Sequence, residues 1–264
     1  MLELYHSNWS ICAQKVRLVI AEKGLDVVEH HIDLRAREQQ TPDYLKLNPN
    51  GYVPTLVHDG RPVIESALIC EYLDEVFPDP SLRPEDPVDK AYMRTWTRRP
   101  DDGLHRACAT VTNAIAFRLQ WLEKPADEIA EMLAATPDPA RRTWRREMIE
   151  KGTKSQLFVD AVWAYEALLT DMELALQDRD WLAGNSYTLA DVSMTSYLNR
   201  VAELRFHPMW ENTRPHVTDW LQRIRARGNF ELAFANYPYD DYAAQMAEQG
   251  RVRWPEVEDI IKAA

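Results

Sequence analysis

A proline-rich stretch divides this chain of 264 residues into two unlike parts. Four prolines fall within residues 78–87, and a proline can neither continue a helix nor donate a hydrogen bond to a neighbouring strand. Strand-like alternation of apolar residues occurs only before this stretch, and helical spacing dominates after it. We therefore predict a domain of residues 1–80, a stiff linker of residues 81–87, and an all-helical domain of residues 88–264 that ends in a tail.

The first part has the pattern of a small α/β domain. Alternating apolar residues indicate strands, apolar residues three and four apart indicate helices, and Asp59-Gly60 is typical of a hairpin turn. These signals predict seven elements in the order β-α-β-α-β-β-α, at residues 2–6, 11–23, 27–34, 43–47, 54–57, 62–64 and 67–77. Gly24 ends the first helix, because glycine readily adopts the left-handed conformation that follows a helix.

The second part shows only helical patterns. Predicted helices lie at residues 88–120, 126–134, 140–150, 155–178, 189–205 and 215–227. Thr188 is followed three residues later by Asp191, which predicts a capping box in which the carboxylate bonds back to the N–H of the capping residue. The tail from Tyr237 carries further aromatic rings that can cover a cleft, those of Tyr239, Tyr242 and Trp254.

Composition excludes several classes of partner. There are 31 basic and 42 acidic residues, for a net charge of −11, which argues against nucleic acid or an anionic membrane as a partner. No apolar run reaches the roughly 18 residues of a membrane span, and the first residues lack the pattern of a secretory signal. The three cysteines, Cys12, Cys70 and Cys108, have no metal-ligand spacing. We therefore expect a cytoplasmic protein without a metal site.

A loop at residues 48–56 is the most distinctive segment of the first part. It reads Asn-Pro-Asn-Gly-Tyr-Val-Pro-Thr-Leu, and Glu65 and Ser66 follow it at the start of a helix. Main-chain groups of such a loop can bind the backbone of a small peptide, and a helix start can bind its carboxylate. Ser10, between the first strand and the first helix, adds a hydroxyl group. Together these features point to a thiol-containing peptide as the cofactor.

In their order along the chain, these features resemble the glutathione transferase family. The features that carry the likeness are Ser10 after a strand, the loop at 48–56, the helix start at 65–73, the proline-rich linker, and residues 181–192. The resemblance implies a thioredoxin-like first domain, an all-helical second domain, glutathione as co-substrate and a homodimer. Residues 10–17 resemble the serine-type members, which are the theta and zeta classes and their bacterial relatives. Residues 65–87 also resemble bacterial β-aryl etherases, which use glutathione to cleave lignin-derived ethers.

The resemblance gives Ser10 a catalytic role. A free thiol has a pKa of about 8.5, and lowering it to about 6.5 requires roughly 2.7 kcal/mol of differential stabilisation. A hydroxyl donor and the N–H groups of a helix start can supply it. Ser10 would then stabilise the thiolate of glutathione rather than attack the substrate. The alternative is an ordinary N-cap, and Ser7 is a rival for the catalytic role.

The resemblance also assigns the residues that bind glutathione. Val53 and Pro54 would share a cis peptide bond that aims main-chain groups at the cysteinyl part. Glu65 and Ser66 would bind the γ-glutamyl end, and a helix cap with an acid beside it is the alternative. At the glycyl end the resemblance assigns Gln39 and Tyr52, for which a solvated loop is the alternative. Tyr52 departs from the Gln or Lys that many relatives carry there.

The electrophile is expected between the two domains. Candidate pocket residues are Trp9, His105, Arg106 and Trp121, with Phe117 and Trp254 as further possibilities, and for each the alternative is an ordinary packing residue. Cys12 lies four residues before Val16, which predicts a place in the core.

Four functions remain open on the sequence. The leading hypothesis is a glutathione S-transferase that acts on an apolar, aromatic electrophile in detoxification or aromatic catabolism. A narrower one is glutathione-dependent cleavage of β-aryl ethers. The others are a thiol oxidoreductase that depends on Cys12 and a non-catalytic glutathione-binding protein.

Overall fold

The computed structural model describes residues 1–136, 138–237 and 242–263. The described residues form two compact units, each built from three segments. The first unit comprises Met1–Arg98, Ala175–Leu198 and His216–Asp240, and the second comprises Arg99–Leu174, Asn199–Pro215 and Asp241–Ala264. The predicted domains follow the order of the sequence, with bounds at residues 80 and 88, whereas the two units are defined by packing. The predicted bounds therefore stay a prediction.

A four-stranded mixed sheet lies in the first unit. Its strands are β1 (Leu2–His6), β2 (Val28–His31), β3 (Thr55–His58) and β4 (Arg61–Ile64). The strand order is β2-β1-β3-β4. β1 pairs in parallel with β2 and antiparallel with β3, and β3 pairs antiparallel with β4.

The register of the sheet brings four connecting segments to one end. His6 and His31, the last residues of β1 and β2, are paired. Tyr5 lies opposite Thr55, the first residue of β3, and Thr55 lies opposite Ile64, the last residue of β4. The segments that follow β1, β2 and β4 and the one that precedes β3 therefore meet at the same end. We call it the loop end, and it consists of residues 7–10, 32–41, 48–54 and 65–66.

Three helices complete the predicted βαβαββα order. They are α1 (Ile11–Glu22), α2 (Pro42–Leu47) and α3 (Ser66–Val76). α3 packs against α1, β3 and β4. Fully buried apolar side chains in this unit include Leu4, Val16, Val19, Leu56, Ile69 and Leu73. The α/β prediction for the first part is confirmed, because the thioredoxin-like order of elements is present.

β2 is shorter than predicted. The strand pattern extends over residues 27–34, but the strand ends at His31. The Asp33 carboxylate accepts hydrogen bonds from the main-chain N–H groups of Arg35 and Ala36, and these bonds form a turn. They also lower the pKa of Asp33.

A buried ion pair fixes the proline-rich linker. Lys23 Nζ lies 2.7 Å from Asp74 Oδ1, and both side chains are fully buried. The same ammonium donates to the carbonyl oxygens of Phe77 and Pro80 at 2.7 and 2.8 Å. Arg83 Nε lies 3.0 Å from the second carboxylate oxygen of Asp74. The linker is thus held by charged side chains as well as by its prolines.

The described chain beyond the linker is helical, as predicted. Its α-helices are α4 (Pro87–Arg98), α5 (His105–Thr112), α6 (Arg118–Leu122), α7 (Ala126–Ala134), α8 (Pro139–Lys151), α9 (Gln156–Ala175), α10 (Leu189–Glu203), α11 (Pro208–Glu211), α12 (Pro215–Ala226), α13 (Gly228–Phe230) and α14 (Tyr242–Lys262). The single helix predicted over residues 88–120 is interrupted by π-helical turns at Pro100–Leu104 and Asn113–Phe117. Gly103, with φ +130°, breaks the helical path in the first of them.

The predicted capping box is present at the start of α10. Thr188 Oγ1 accepts from Ala190 N, and Asp191 Oδ2 accepts from Thr188 N. The second oxygen of Asp191 accepts from Leu182 N and from Trp220 Nε1. Asp191 is fully buried, and this burial raises its pKa. The carboxylate therefore joins the segment before α10 to α12 as well as capping the helix.

The tail forms α14, a helix that the sequence patterns do not predict. A Cβ atom at Gly250 would lie 1.9 Å from the carbonyl oxygen of Leu204, so only glycine allows this close contact. The predicted tail residue Tyr239 lies outside the described residues. Among the described helices, none has the length and apolar character needed to cross a membrane.

Candidate active site

Ser10 is the N-cap of α1. Its Oγ accepts a hydrogen bond from Ala13 N at 3.1 Å. This bond uses a lone pair of the oxygen and leaves the hydroxyl hydrogen available for donation. Ser10 is half-buried, and the main-chain N–H groups of the first helical turn lie beside it. The N-cap and the catalytic role are therefore compatible, because the two use different parts of the hydroxyl group.

Ser7 has a different environment from Ser10. Its side chain is buried, with 1% exposed. Its carbonyl oxygen accepts from Ser10 N at 3.1 Å and from Arg17 Nη1 at 3.4 Å. Ser7 thus shapes the turn that presents Ser10, and its burial does not suit a group that must meet a substrate.

The loop before β3 is held by side chains on both sides of a cis peptide bond. Tyr44 Oη donates to the carbonyl oxygen of Tyr52 at 2.6 Å, and Asn48 Nδ2 donates to the same oxygen at 2.9 Å. Burial raises the pKa of Tyr44, so its hydroxyl stays protonated. Both side chains also contact Thr55 Oγ1. The predicted cis form of Val53–Pro54 is present.

Glu65 and Ser66 lie next to this loop. Asn50 Nδ2 donates to Glu65 Oε1 at 3.4 Å. Glu65 has φ +69° and ψ 111°, a conformation that costs a residue with a side chain about 1–3 kcal/mol and is often found at binding sites. Its carbonyl oxygen accepts from Ile69 N, and Ser66 is the first residue of α3. The pair therefore offers a carboxylate beside the free N–H groups of a helix start.

Gln39 lies beside Gly51 of this loop. It belongs to a 3-10 turn, Glu38–Gln40, and its side-chain oxygen is buried without a hydrogen-bond partner among the described residues. Its main-chain oxygen would lie 3.1 Å from a Cβ atom at Gly51, where φ is +63°. Tyr52, in contrast, is 52% exposed, and its carbonyl oxygen accepts from Tyr44 and Asn48.

Trp9 precedes Ser10 and carries a cation on its ring. The guanidinium carbon of Arg35 lies 4.4 Å from the ring centre, a distance typical of a cation–π contact. Both residues belong to the loop end. An aromatic surface beside Ser10 suits an apolar substrate, and Arg35 adds a positive charge that the sequence patterns do not reveal.

The other predicted pocket residues belong to the second unit. His105 and Arg106 are exposed on α5, and the guanidinium carbon of Arg106 lies 5.3 Å from the ring centre of Trp144. Trp121 is half-buried, with Lys124 Nζ 5.9 Å from its ring centre. The remaining two candidates contact other aromatic rings, Phe117 that of Tyr242 and Trp254 that of Phe206. Their place in an electrophile pocket stays a prediction.

The cysteines differ in burial. Cys12 is half-buried, whereas Cys70 and Cys108 are buried. The core position expected for Cys12 is therefore only partly correct. Burial raises the pKa of Cys70 to about 12, so this thiol is unreactive at neutral pH. Cys12 lies in the first turn of α1.

Two family models match the chain. The model described as "Glutathione S-transferase, N-terminal domain" matches residues 9–76, and the one described as "Glutathione S-transferase, C-terminal domain" matches residues 148–228. Together the matches cover more than half of the chain. The chain belongs to the glutathione S-transferase family. This family uses glutathione as co-substrate, and the predicted family, enzyme class and co-substrate are confirmed.

Two curated relatives are similar to this transferase over most of its length. The protein LigF of Sphingobium sp. (strain NBRC 103272 / SYK-6) is 29% identical over 255 residues, which cover 94% of this chain and 98% of LigF. The crystal structure of LigF, described as a beta-etherase, matches with a TM-score of 0.79 and covers 89% of this chain and 99% of LigF. A tetrachloro-p-hydroquinone reductive dehalogenase of Sphingobium chlorophenolicum is 28% identical over 247 residues, 88% of this chain and 95% of that enzyme.

Several residues that shape the site of this transferase are absent from the sequence-based set. The loop is held by Tyr44, Asn48 and Thr55. Arg35 contacts the ring of Trp9, and Arg17 contacts the Ser7 turn. Asn48 and Thr55 belong to the distinctive loop at residues 48–56, so their position was a usable signal. Tyr44 and the two arginines act across the fold, and no local pattern marks them.

Proposed function

We propose that this transferase binds glutathione at the loop end and that Ser10 holds its sulfur as a thiolate. The observation that carries the proposal is the sheet register, which brings the turn of Ser10, the cis-proline loop and the start of α3 to one end of the sheet. Ligands of open α/β sheets commonly bind at the carboxyl ends of the strands. A peptide with a thiol and two carboxylates fits the groups gathered there.

Each part of glutathione has a partner at the loop end. The main chain of Val53, before the cis-Pro54, suits the cysteinyl backbone. Ser66 and the N–H groups of α3 suit the γ-glutamyl carboxylate, and Glu65 suits the ammonium group. The amide of Gln39 suits the glycyl end, whereas Tyr52 contributes its main chain more than its exposed phenol.

The chemical step needs only the thiolate and a positioned electrophile. The sulfur electron pair forms a bond to an electrophilic carbon, and a leaving group departs with the electron pair of the broken bond or an activated double bond takes it up. Most of the rate would come from ionisation of the thiol and from proximity. Trp9, His105, Arg106 and Trp121 remain the proposed electrophile contacts.

We propose an aryl ether as the substrate class. The similarity to LigF over most of both chains supports this choice. In this reaction the thiolate attacks the carbon that bears the aryloxy group, a C–S bond forms, and the C–O bond breaks to release a phenoxide that water protonates.

Ser10 variants separate the catalytic role from helix capping. Ser10→Ala should raise the pKa of the bound thiol toward that of free glutathione and lower kcat by about 100-fold, the equivalent of about two pKa units. Ser10→Asp keeps a capping side chain but cannot donate to a thiolate, so it should fold well and be inactive. Ser10→Thr should retain activity.

The measurements are the ultraviolet absorbance of the bound thiolate against pH and the turnover of a generic aryl halide. Cys12→Ala is the matched control and should leave both unchanged. Loss of turnover in Cys12→Ala with wild-type behaviour in Ser10→Ala would instead support the thiol oxidoreductase. A wild-type chain that binds glutathione but turns over nothing would support a binding role.

A substrate pair tests the ether proposal. We expect turnover of a β-aryl ether with a phenolic leaving group at a kcat/KM at least about tenfold above that of an aryl halide, because only a matched pocket adds binding energy in the transition state. Release of the free phenol, followed by chromatography, is the readout. Equal or higher kcat/KM for the halide would reject the ether and leave the transferase chemistry intact.

Three further predictions concern the whole protein. We propose a homodimer, a cytoplasmic location, and domain bounds at residues 1–80, 81–87 and 88–264. Light scattering in solution tests the first, cell fractionation the second, and limited proteolysis within residues 81–87 the third.

A further inference from the structure

Arg17 is a buried cation that the proposed chemistry does not use directly. It lies on α1, two turns after Ser10, and only 2% of the residue is exposed. Burying a guanidinium is costly unless it is hydrogen-bonded and paired. The contacts of Arg17 must therefore offset the cost of burying its charge.

On one side, Arg17 contacts the turn that leads to Ser10. Its Nη1 lies 3.2 Å from His6 Nδ1 and 3.4 Å from the carbonyl oxygen of Ser7. The same Ser7 oxygen accepts from Ser10 N. Arg17 thus contacts His6, the last residue of β1, and the Ser7 carbonyl group that accepts the hydrogen bond from Ser10 N.

On the other side, Arg17 contacts a segment more than 200 residues later in the chain. Its Nε donates to the carbonyl oxygen of Ala233 at 3.0 Å. Its guanidinium carbon lies 3.8 Å from the ring centre of Tyr237. The hydroxyl of Tyr237 donates to Glu29 on β2, and Glu29 also pairs with His6.

These contacts form a closed arrangement within the first unit. The segment Glu231–Ala235 packs against α1, and the ring of Tyr237 covers the guanidinium. His6 on β1 and Glu29 on β2 contact Tyr237, so the segment of residues 231–237 meets β1, β2 and α1 at this point. A guanidinium fork that is fixed on several acceptors has little freedom to move. Because Arg17 contacts both the segment and the Ser7 carbonyl oxygen, the segment restricts the motion of the Ser7 turn.

We propose that Arg17 is a positioning residue for the transferase reaction: it fixes the turn that presents the Ser10 hydroxyl to the glutathione sulfur, and the segment 231–237 fixes Arg17. This inference rests on the proposed role of Ser10. It assigns to the segment a part in thiolate formation although the segment follows Ser10 by more than 200 residues.

The test compares Arg17→Met with Arg227→Met. Both arginines join α1 to the same late part of the chain, since Arg227 pairs with Glu22 at the end of α1. Glu22 is twelve residues from Ser10, about 18 Å along a helix. Both substitutions should lower stability, but only the loss of Arg17 should alter the site.

We expect Arg17→Met to raise the pKa of the bound thiol by about one unit and to lower kcat about tenfold. The KM for glutathione should change less than about threefold, because the loop and the α3 start are untouched. Arg17→Lys keeps the charge but loses the fork, and it should rescue less than half of the lost kcat. Arg227→Met should keep the wild-type pKa and kcat.

Tyr237→Leu provides a milder change for the case in which Arg17→Met does not fold. It removes the ring from the guanidinium while leaving Arg17 in place, and it should raise the thiol pKa in the same direction by a smaller amount. Full rescue by Arg17→Lys would overturn the proposal, because charge alone would then suffice.

The outcomes distinguish this proposal from the function on which it rests. A wild-type thiol pKa in folded Arg17→Met or Tyr237→Leu, together with a raised pKa in Ser10→Ala, would overturn the positioning role alone. A wild-type thiol pKa in Ser10→Ala would overturn both.

Discussion

At the scale of single residues, buried polar groups define the site more sharply than exposed ones. Ser10 could be located from the sequence, because a hydroxyl between a strand and a helix has a recognisable context. Tyr44 could not, because its role depends on a hydrogen bond to Tyr52 in a loop eight residues away. Arg17 is harder still, since its partner Ala233 lies 216 residues away. Side chains that act across the fold leave no local signal.

A pH-dependence of stability follows from His6. Burial lowers the pKa of His6, and its hydrogen bond helps to lower the pKa of Glu29. The folded state therefore binds protons less tightly than the unfolded state at both groups. The contribution of His6 and Glu29 to the free energy of unfolding is complete above about pH 6.5, where unfolded histidine is neutral. This contribution is lost as the pH falls through the folded pKa of His6 and then through that of Glu29.

We expect the free energy of unfolding to fall between about pH 6.5 and pH 5, with a slope of at most about 1.4 kcal/mol per pH unit for each proton taken up. His6→Gln should have a shallower slope in this interval. Urea denaturation at several pH values measures it, and an unchanged slope in His6→Gln would contradict the assignment.

At the scale of elements, local patterns predicted most of the structure. The order βαβαββα, the hairpin through Asp59-Gly60 and the capping box at Thr188 all follow from spacing and turn residues. The helix α14 did not follow, because Pro255 lies within it and polar residues dominate it. Its place depends instead on Gly250, which packs against the carbonyl oxygen of Leu204. A close contact of this kind is set by tertiary packing.

Gly250 should tolerate no side chain. Gly250→Ala would bring a Cβ atom to 1.9 Å from the Leu204 oxygen, so α14 must shift. We expect a loss of about 1–3 kcal/mol in the free energy of unfolding, the range for overpacked sites. Gly228→Ala is the matched control, because no atom beyond its chain neighbours and its own helix backbone lies within 4 Å of the added Cβ. Denaturant unfolding compares the two, and equal stability would refute the packing argument.

At the scale of the whole molecule, the sheet register explains why distant segments form one site. The sequence suggested that the loop at 48–56 and the pair Glu65 and Ser66 bind the same peptide, but not how the fold brings them together. The pairing of Tyr5 with Thr55 and of Thr55 with Ile64 brings them to the same end. Strand pairing is a non-local property, so the motifs and their shared ligand could be predicted from the sequence, whereas the strand pairing that joins them could not.

The first unit should not fold from its first segment alone. A fragment of residues 1–98 lacks Ala233 and Tyr237, so Arg17 and the α1 surface that Glu231–Ala235 covers would face water. We expect this fragment to show no cooperative thermal transition by circular dichroism and the full chain to show one. A cooperative transition in the fragment would show that the late segment adds nothing essential.

The contact between Arg17 and Ala233 also has a consequence for biosynthesis. The ribosome exposes α1 early, but Ala233, the partner of Arg17, is added 216 residues after Arg17. At about 5–20 residues per second this interval is on the order of ten seconds. Throughout it, the nascent protein carries an uncovered guanidinium and an uncovered face of α1.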